Sequence, residues 1–176
     1  MEVAMKYYIM SQDKRISHGV TFKEIASSDT FEVGEEYRGK IKKNLVLHMK
    51  DTDQTAHAEI LESPFIMVSD SLCKAIQMYD DEAEFTNIIL ASQMGRPSLD
   101  YKVALISRID CLHESSEFYK DHSVKELVLD QQKVGDRQIF KIKGISPHFV
   151  IVSMNIAESI LRRSLYGVRL EEIKCI

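Results

Sequence analysis

Two stretches of the chain repeat one order of apolar and polar positions. Ser63-Pro64-Phe65-Ile66-Met67-Val68-Ser69 leads into Leu72, Ala75 and Ile76. Ser146-Pro147-His148-Phe149-Val150-Ile151-Val152-Ser153 leads into Ile156, Ser159 and Ile160, at an offset of 84 when Val68-Ser69 is set on Val152-Ser153. In each copy Ser-Pro opens an apolar run rich in β-branched residues, a serine closes it, and a helical period follows. The pattern predicts a strand feeding a helix, used twice.

The first helix is expected over about 70–79, with Leu72, Ala75, Ile76 and Tyr79 along one face. Ser69 is placed to cap its free N–H groups, and Asp70 sits where the dipole favours negative charge. The second helix is expected over about 154–165, with Ile156, Ala157, Ile160, Leu161 and Leu165 as its apolar stripe. Arg162 and Arg163 complement its C-terminus, and Gly167 is placed to end it in the left-handed conformation. A β-prone run follows each helix, at 85–90 and at 168–173, the second alternating apolar and polar as a half-buried strand does. Further strands are expected at 6–10, 44–49, 101–109, 124–129 and 139–143, with a turn at Gly135-Asp136. Thr55–Leu61 reads equally as strand or helical turn. Residues 11–44 are polar and irregular, with a short helix near Phe22–Ile25. The sum is an α+β fold: a mostly antiparallel sheet with two main helices, built from a duplicated strand-helix-strand unit.

Length and composition suit one domain spanning 1–176. A chain of 176 residues, 44% hydrophobic and 28% charged, can bury roughly 70% of its unfolded surface without covalent staples. Cys73, Cys111 and Cys175 are an odd set at wide spacings, which offers neither a disulfide framework nor a C-x-x-C zinc pair. A net charge of −4 argues against sequence-independent nucleic-acid binding, which needs a basic face. No apolar span long enough for a membrane occurs, and Met1-Glu2-Val3-Ala4-Met5-Lys6 lacks the basic and apolar regions of a secretion signal, so the expected location is the cytoplasm.

Several segments in order carry a family resemblance. They are Phe65-Ile66-Met67-Val68-Ser69-Asp70-Ser71-Leu72, Glu84-Phe85, Tyr101-Lys102-Val103 running to Ile109-Asp110, Ile139-Phe140-Lys141-Ile142, and Val150-Ile151-Val152-Ser153 with a helix closing on Gly167-Val168-Arg169-Leu170. Over about residues 63–173 this order resembles a bacterial family of immunity proteins encoded beside polymorphic toxins, also catalogued as a domain of unknown function. Residues 1–60 form a divergent, loop-rich part outside it. The resemblance implies a cytoplasmic protein that binds and neutralises a cognate toxin without turnover, through variable surface rather than a shared motif.

Charge marks candidate contact residues. Residues 51–84 hold nine acids against the single Lys74, a local charge of −8. Asp51, Asp53, Asp80, Asp81, Glu82 and Glu84 are therefore candidates to steer and plug a basic cleft, set against the plainer reading of acidic loops kept wet at the two ends of a helix. Tyr37, with Tyr7 and Tyr8, is a candidate aromatic anchor. Two other functions stay open: a small hydrolase or transferase using Asp110 and His113 in a cleft between the two units, and a homodimer pairing along Val168–Ile173. Asp110 reads otherwise as a turn or cap carboxylate. The six histidines are scattered, His148 reads as structural, no phosphate-loop signature occurs, and Gly95-Arg96-Pro97-Ser98 reads as a loop joining two strands, so neither metal nor nucleotide cofactor is indicated. The methionines read mostly as core filler.

Overall fold

The computed structural model describes residues 5–25, 33–34, 37–42, 45–145 and 149–176. Asn44 of the expected second strand, and Ser146, Pro147 and His148 of the second copy, lie outside them. Within the described residues the fold is mixed, with two main sheets, a small hairpin and three helices.

A strand feeding a helix occurs at both expected places. β4 (Met67–Ser69) runs into α1 (Asp70–Gln77), and β12 (Val150–Ser153) runs into α3 (Met154–Arg162). Ser69 and Ser153 have nearly the same extended backbone, φ −66°, ψ 167° and φ −69°, ψ 164°. Their hydroxyls accept from the backbone N–H of Leu72 at 3.1 Å and of Ile156 at 3.5 Å. Each hydroxyl also donates, Ser69 to Glu59 and Ser153 to Gln138 Oε1 at 2.6 Å. The strands after the helices, β5 (Glu84–Ser92) and β13 (Val168–Cys175), start 84 positions apart, as do the helices.

The surroundings of the two units also correspond. β3 (Ile60–Leu61) pairs with β4, and β6 (Leu99–Leu105) lies antiparallel between β4 and β5, with β2 (Leu45–Met49) parallel to β5 at the far edge; the order is β2-β5-β6-β4-β3. In the second sheet β11 (Ile139–Ile142) pairs with β12, and β1 (Tyr7–Gln12) lies antiparallel between β12 and β13. The two-residue strands β7 (Arg108–Ile109) and β10 (Val128–Leu129) complete the order β10-β13-β1-β12-β11-β7. A helix therefore links two parallel strands held apart by an antiparallel third in both sheets. The third strand follows in the chain in one case and comes from near its start in the other. Seven of the ten strand pairings are antiparallel.

Burial follows strand parity. Val68, Ala104, Val150, Val152 and Met10 turn one face of each sheet toward Leu72, Ile76, Ile156 and Ile160, so both helices and both sheets share a central cluster. Met67, Val103, Ile88 and Leu90 face the other way, under Ile16, Val20 and Phe22 of the N-terminal part. Tyr7, Phe140, Ile151 and Ile173 form a third cluster with Cys111 and Leu129. Cys73 and Cys111 are buried and all three thiols are free; burial pushes the Cys111 thiol up to about 12.

Several expectations change. Both helices are shorter than predicted, so Tyr79 falls beyond α1 and is 37% exposed instead of buried. Leu161 is 68% exposed because it follows Ile160 by about 100° around the helix, off the stripe. The left-handed residue after α3 is Ser164 (φ 50°), and Gly167 (φ 75°) serves a later turn. No helix forms at Phe22–Ile25: that segment extends along β2, Lys23 N–H donating to His48 O at 2.9 Å and Phe22 bridging Met49. The expected strand 101–109 divides into β6 and β7. The expected strand 124–129 divides into β9 (Val124–Glu126), paired with β8 (Glu117–Phe118), and β10, paired with β13. A short α2 (Gln131–Val134), capped by Asp130, precedes Gly135. Met78, Met94 and Met154 are exposed, not core filler.

Candidate functional site

The acids of 51–84 are distributed by the strands that carry them. Asp51 is 1% exposed: its carboxylate accepts from the Ser92 hydroxyl and from Gln93 N–H at 2.8 Å, tying the end of β2 to the end of β5. These bonds, the Ser92 hydroxyl first, hold its carboxyl below the usual range. Asp53 is ion-paired with Arg96 on the β5–β6 loop. Asp70 is held by Lys74 at 2.6 Å and Lys102 at 3.1 Å, which lower its pKa. Glu59 takes the Ser69 hydroxyl, and Glu84 pairs with Arg38 at 2.6 Å. Glu84 and Ser92 sit at opposite ends of β5, eight residue steps or roughly 26 Å apart. The Asp51–Asp53 group and the Asp80–Glu84 group therefore occupy different ends of the sheet.

As with buried Asp51, Glu59 and half-buried Glu62, no ion pair holds Asp80, Asp81 or Glu82 among the described residues. They lie just past the C-terminus of α1, whose last carbonyls are taken by Met78, Tyr79 and Asp80 N–H groups. That end of a helix carries negative potential, and three acids just beyond its last turn do nothing to complement it. Beside them Met78 is 61% exposed and touched by the Arg163 guanidinium at 2.9 Å, which joins the C-terminal ends of α1 and α3. The Arg38–Glu84 pair brings the turn of Tyr37, itself 41% exposed, to the start of β5. The geometry is an acidic rim beside partly exposed Tyr79, Met78 and Tyr37. Met78 and Arg38 carried no sequence signal of their own; only the end of the helical period at Gln77 exposes the first, and only the fold brings in the second.

The other candidates are placed elsewhere. Tyr7 is fully buried, its hydroxyl donating toward Arg137 O at 3.2 Å, so it is core and not an anchor. Asp110 is exposed and its carboxylate accepts no hydrogen bond among the described residues; the capping role belongs to Asp130, which accepts from Gln132 and Lys133 N–H. His113 Nδ1 is engaged with Ser115 in a local turn. A cavity of about 880 Å³ opens at the end of β1, and neither Asp110 nor His113 lines it. β13 is bonded to β1 along Val168–Ile173 and to β10 at Lys174 and Cys175. Gly95-Arg96-Pro97-Ser98 is the loop between β5 and β6. Among the described residues, no group of three or more His, Cys, Asp or Glu suited to a metal ion occurs, and no helix is long and apolar enough to cross a membrane.

Comparison with protein-family models and with curated protein sequences finds no match to this chain.

Proposed function

We propose that this chain is a non-enzymatic immunity protein of the cytoplasm, which binds and neutralises a cognate bacterial toxin through surface complementarity. The ordered segments from Phe65 to Leu170 support the class. The observation that carries the reading is the turn Asp80-Asp81-Glu82, exposed in part and unpaired at the negative end of α1, next to Met78 and Tyr79. Unpaired acids just beyond a helix end that does not favour them are available to an external basic partner. Aromatic and methionine side chains at such a rim supply anchoring area. Asp53 and Glu84 already hold internal cations and Asp51 is buried, so their part in this reading is to shape the two ends of the sheet. The two strand-helix-strand units are read as one duplicated unit, from their common offset and common strand order.

The test begins with a pull-down from the native host, seeking one stoichiometric partner that is toxic when expressed without this chain. Charge reversal of Asp80, Asp81 and Glu82 to lysine should then slow association about tenfold or more at low salt and abolish protection. Binding and protection unchanged by the triple substitution would remove the acidic rim from the proposal. Recovery of no partner beyond chaperones would remove the toxin.

A further inference from the structure

The largest cavity lies away from the acidic rim. β1 pairs with β12 only as far as Met10 opposite Val150, while its pairing with β13 continues to Gln12 opposite Val168. A space of about 880 Å³ lies along β1 where its two neighbours part, bounded on the other side by β9 and Leu127. That size falls within the range that encloses a small organic ligand, about 300–1,000 Å³. Side chains alternate along a strand, so Ile9 and Ser11 project from the face that Tyr7 turns to the third cluster. Ile173, opposite Tyr7, stands at one end of this row and Ser11 at the other, four residue steps or roughly 13 Å away. Phe149, Val124 and Leu127 add apolar walls.

The charges around it answer one another. Arg169 is paired with Glu171 at 3.1 Å, Lys125 with Glu117 at 2.5 Å, and Glu172 with Lys6 at 3.1 Å. Lys141, 2% exposed, donates to Val33 O at 2.9 Å. At the Gln12 end Lys14 and Glu62 remain; burial raises the Glu62 carboxyl, and the Gln12 backbone and Lys14 draw it back. At the other end Lys174 and Glu126 remain, where Val128, two residues on from Glu126, pairs with Lys174. Each end thus holds one acid and one base, and neither sign is in excess. An ion on the apolar floor between them would shed its water with no counter-charge left over to meet it. The polar group that stands free on that floor is neutral: the Ser11 hydroxyl, on a half-buried residue, makes no hydrogen bond among the described residues.

We propose that this cavity is a binding site for an uncharged, elongated apolar molecule with one hydroxyl at its end, of the medium-chain alcohol kind. The chain lies on Ile9 and Ile173 beside Phe149, and its hydroxyl shares a hydrogen bond with that of Ser11. The site stands apart from the acidic rim and does not depend on the toxin reading.

The experiment uses the full chain and the uncharged fluorescent probe N-phenyl-1-naphthylamine, with 1-octanol, octanoate and octylamine as competitors. Near-UV circular dichroism checks that each variant stays packed. Expected is saturable probe binding at one site, displaced by octanol at a concentration about tenfold or more below that needed of either ion. Ser11→Ala should weaken octanol about fivefold and leave the probe within about twofold. Lys14→Gln/Lys174→Gln should leave octanol within about twofold, since neither charge meets the ligand. Ile9→Trp, which fills the floor, should abolish binding of both. Absence of saturable binding, displacement by octanoate or octylamine as effective as by octanol, or unchanged octanol affinity in Ser11→Ala would each overturn the proposal.

Discussion

The two strand-helix-strand units agree where they face the core and differ where they face solvent. Ser69 and Ser153 cap in the same way, and Leu72 and Ile156 occupy the same third position of their helices, both fully buried. Beyond the helices the units diverge in charge. α1 runs out into Asp80-Asp81-Glu82, whereas α3 runs out into Arg162 and Arg163, the first paired with Glu158 at 2.6 Å and the second donating to Ser159 O at 3.1 Å. The second arrangement is what helix stability favours, basic side chains on the last carbonyls. α1 also carries Lys74 in its last turn, so the units differ in the segment beyond the helix, where one is acidic and the other is Ser164-Leu165-Tyr166.

The largest expected effect comes from the position where the units differ in backbone. Gly167 corresponds to Ala83 at the common offset, yet a Cβ on Gly167 would meet Ala58 Cβ at 2.5 Å and Ile16 Cδ1 at 2.8 Å, at φ +75°. Gly167→Ala, which copies the first unit's residue, should cost about 3 kcal/mol or more in urea unfolding, from strain and overpacking together. A loss under 1 kcal/mol would show that Ala58 yields easily. Next, Leu72→Ala and Ile156→Ala should each cost about 2–5 kcal/mol, and to similar extents, because both empty the shared cluster. Their double variant should depart from additivity, since α1 packs on α3. A single variant that left the unfolding midpoint unchanged would break the equivalence.

Smaller still are the caps. Ser69→Ala and Ser153→Ala should each cost about 1 kcal/mol or somewhat more, to similar extents, because each hydroxyl caps its helix and also holds a second side chain, Glu59 in one case and Gln138 in the other. A loss at one position alone would show that the two caps are not equivalent. Acid sensitivity sharpens the contrast last. Asp13, whose backbone N–H donates to Gly167 O at 2.9 Å, is held down to about 2 by the Arg15 side chain. A carboxyl depressed in the folded state adds stability above its unfolded pKa, and that stability disappears as pH falls from about 4 toward 2. Asp13→Asn should therefore flatten that limb of a midpoint-against-pH curve; an unchanged limb would show that the exposed pair contributes nothing.

How much was legible in the sequence follows from the range of the forces involved. Helix starts were readable because a cap is local: one serine and one N–H three residues on decide it. Helix ends were not, since Tyr79 and Leu161 continue an apolar composition after the geometry has turned away. The long strands were visible as β-branched runs, but β7 and β10 are two residues long and pair with partners far along the chain, and β9, three residues long, pairs with β8 in a local hairpin. In the candidate site, acidity was legible and its disposition was not. Asp51 and Asp81 look alike in sequence, and only the Ser92 and Gln93 bonds separate a buried staple from an exposed charge.

The place of β1 has a consequence for how the molecule comes into being. This strand is synthesised well over 130 residues before either of its neighbours, β12 and β13. At about 5–20 residues per second, β1 waits on the order of ten seconds or more with its edges unsatisfied. The first sheet, whose strands lie within 45–105, can assemble in that interval and shelter one side of the waiting strand. Birth order thus makes the first unit a scaffold on which the second is later completed.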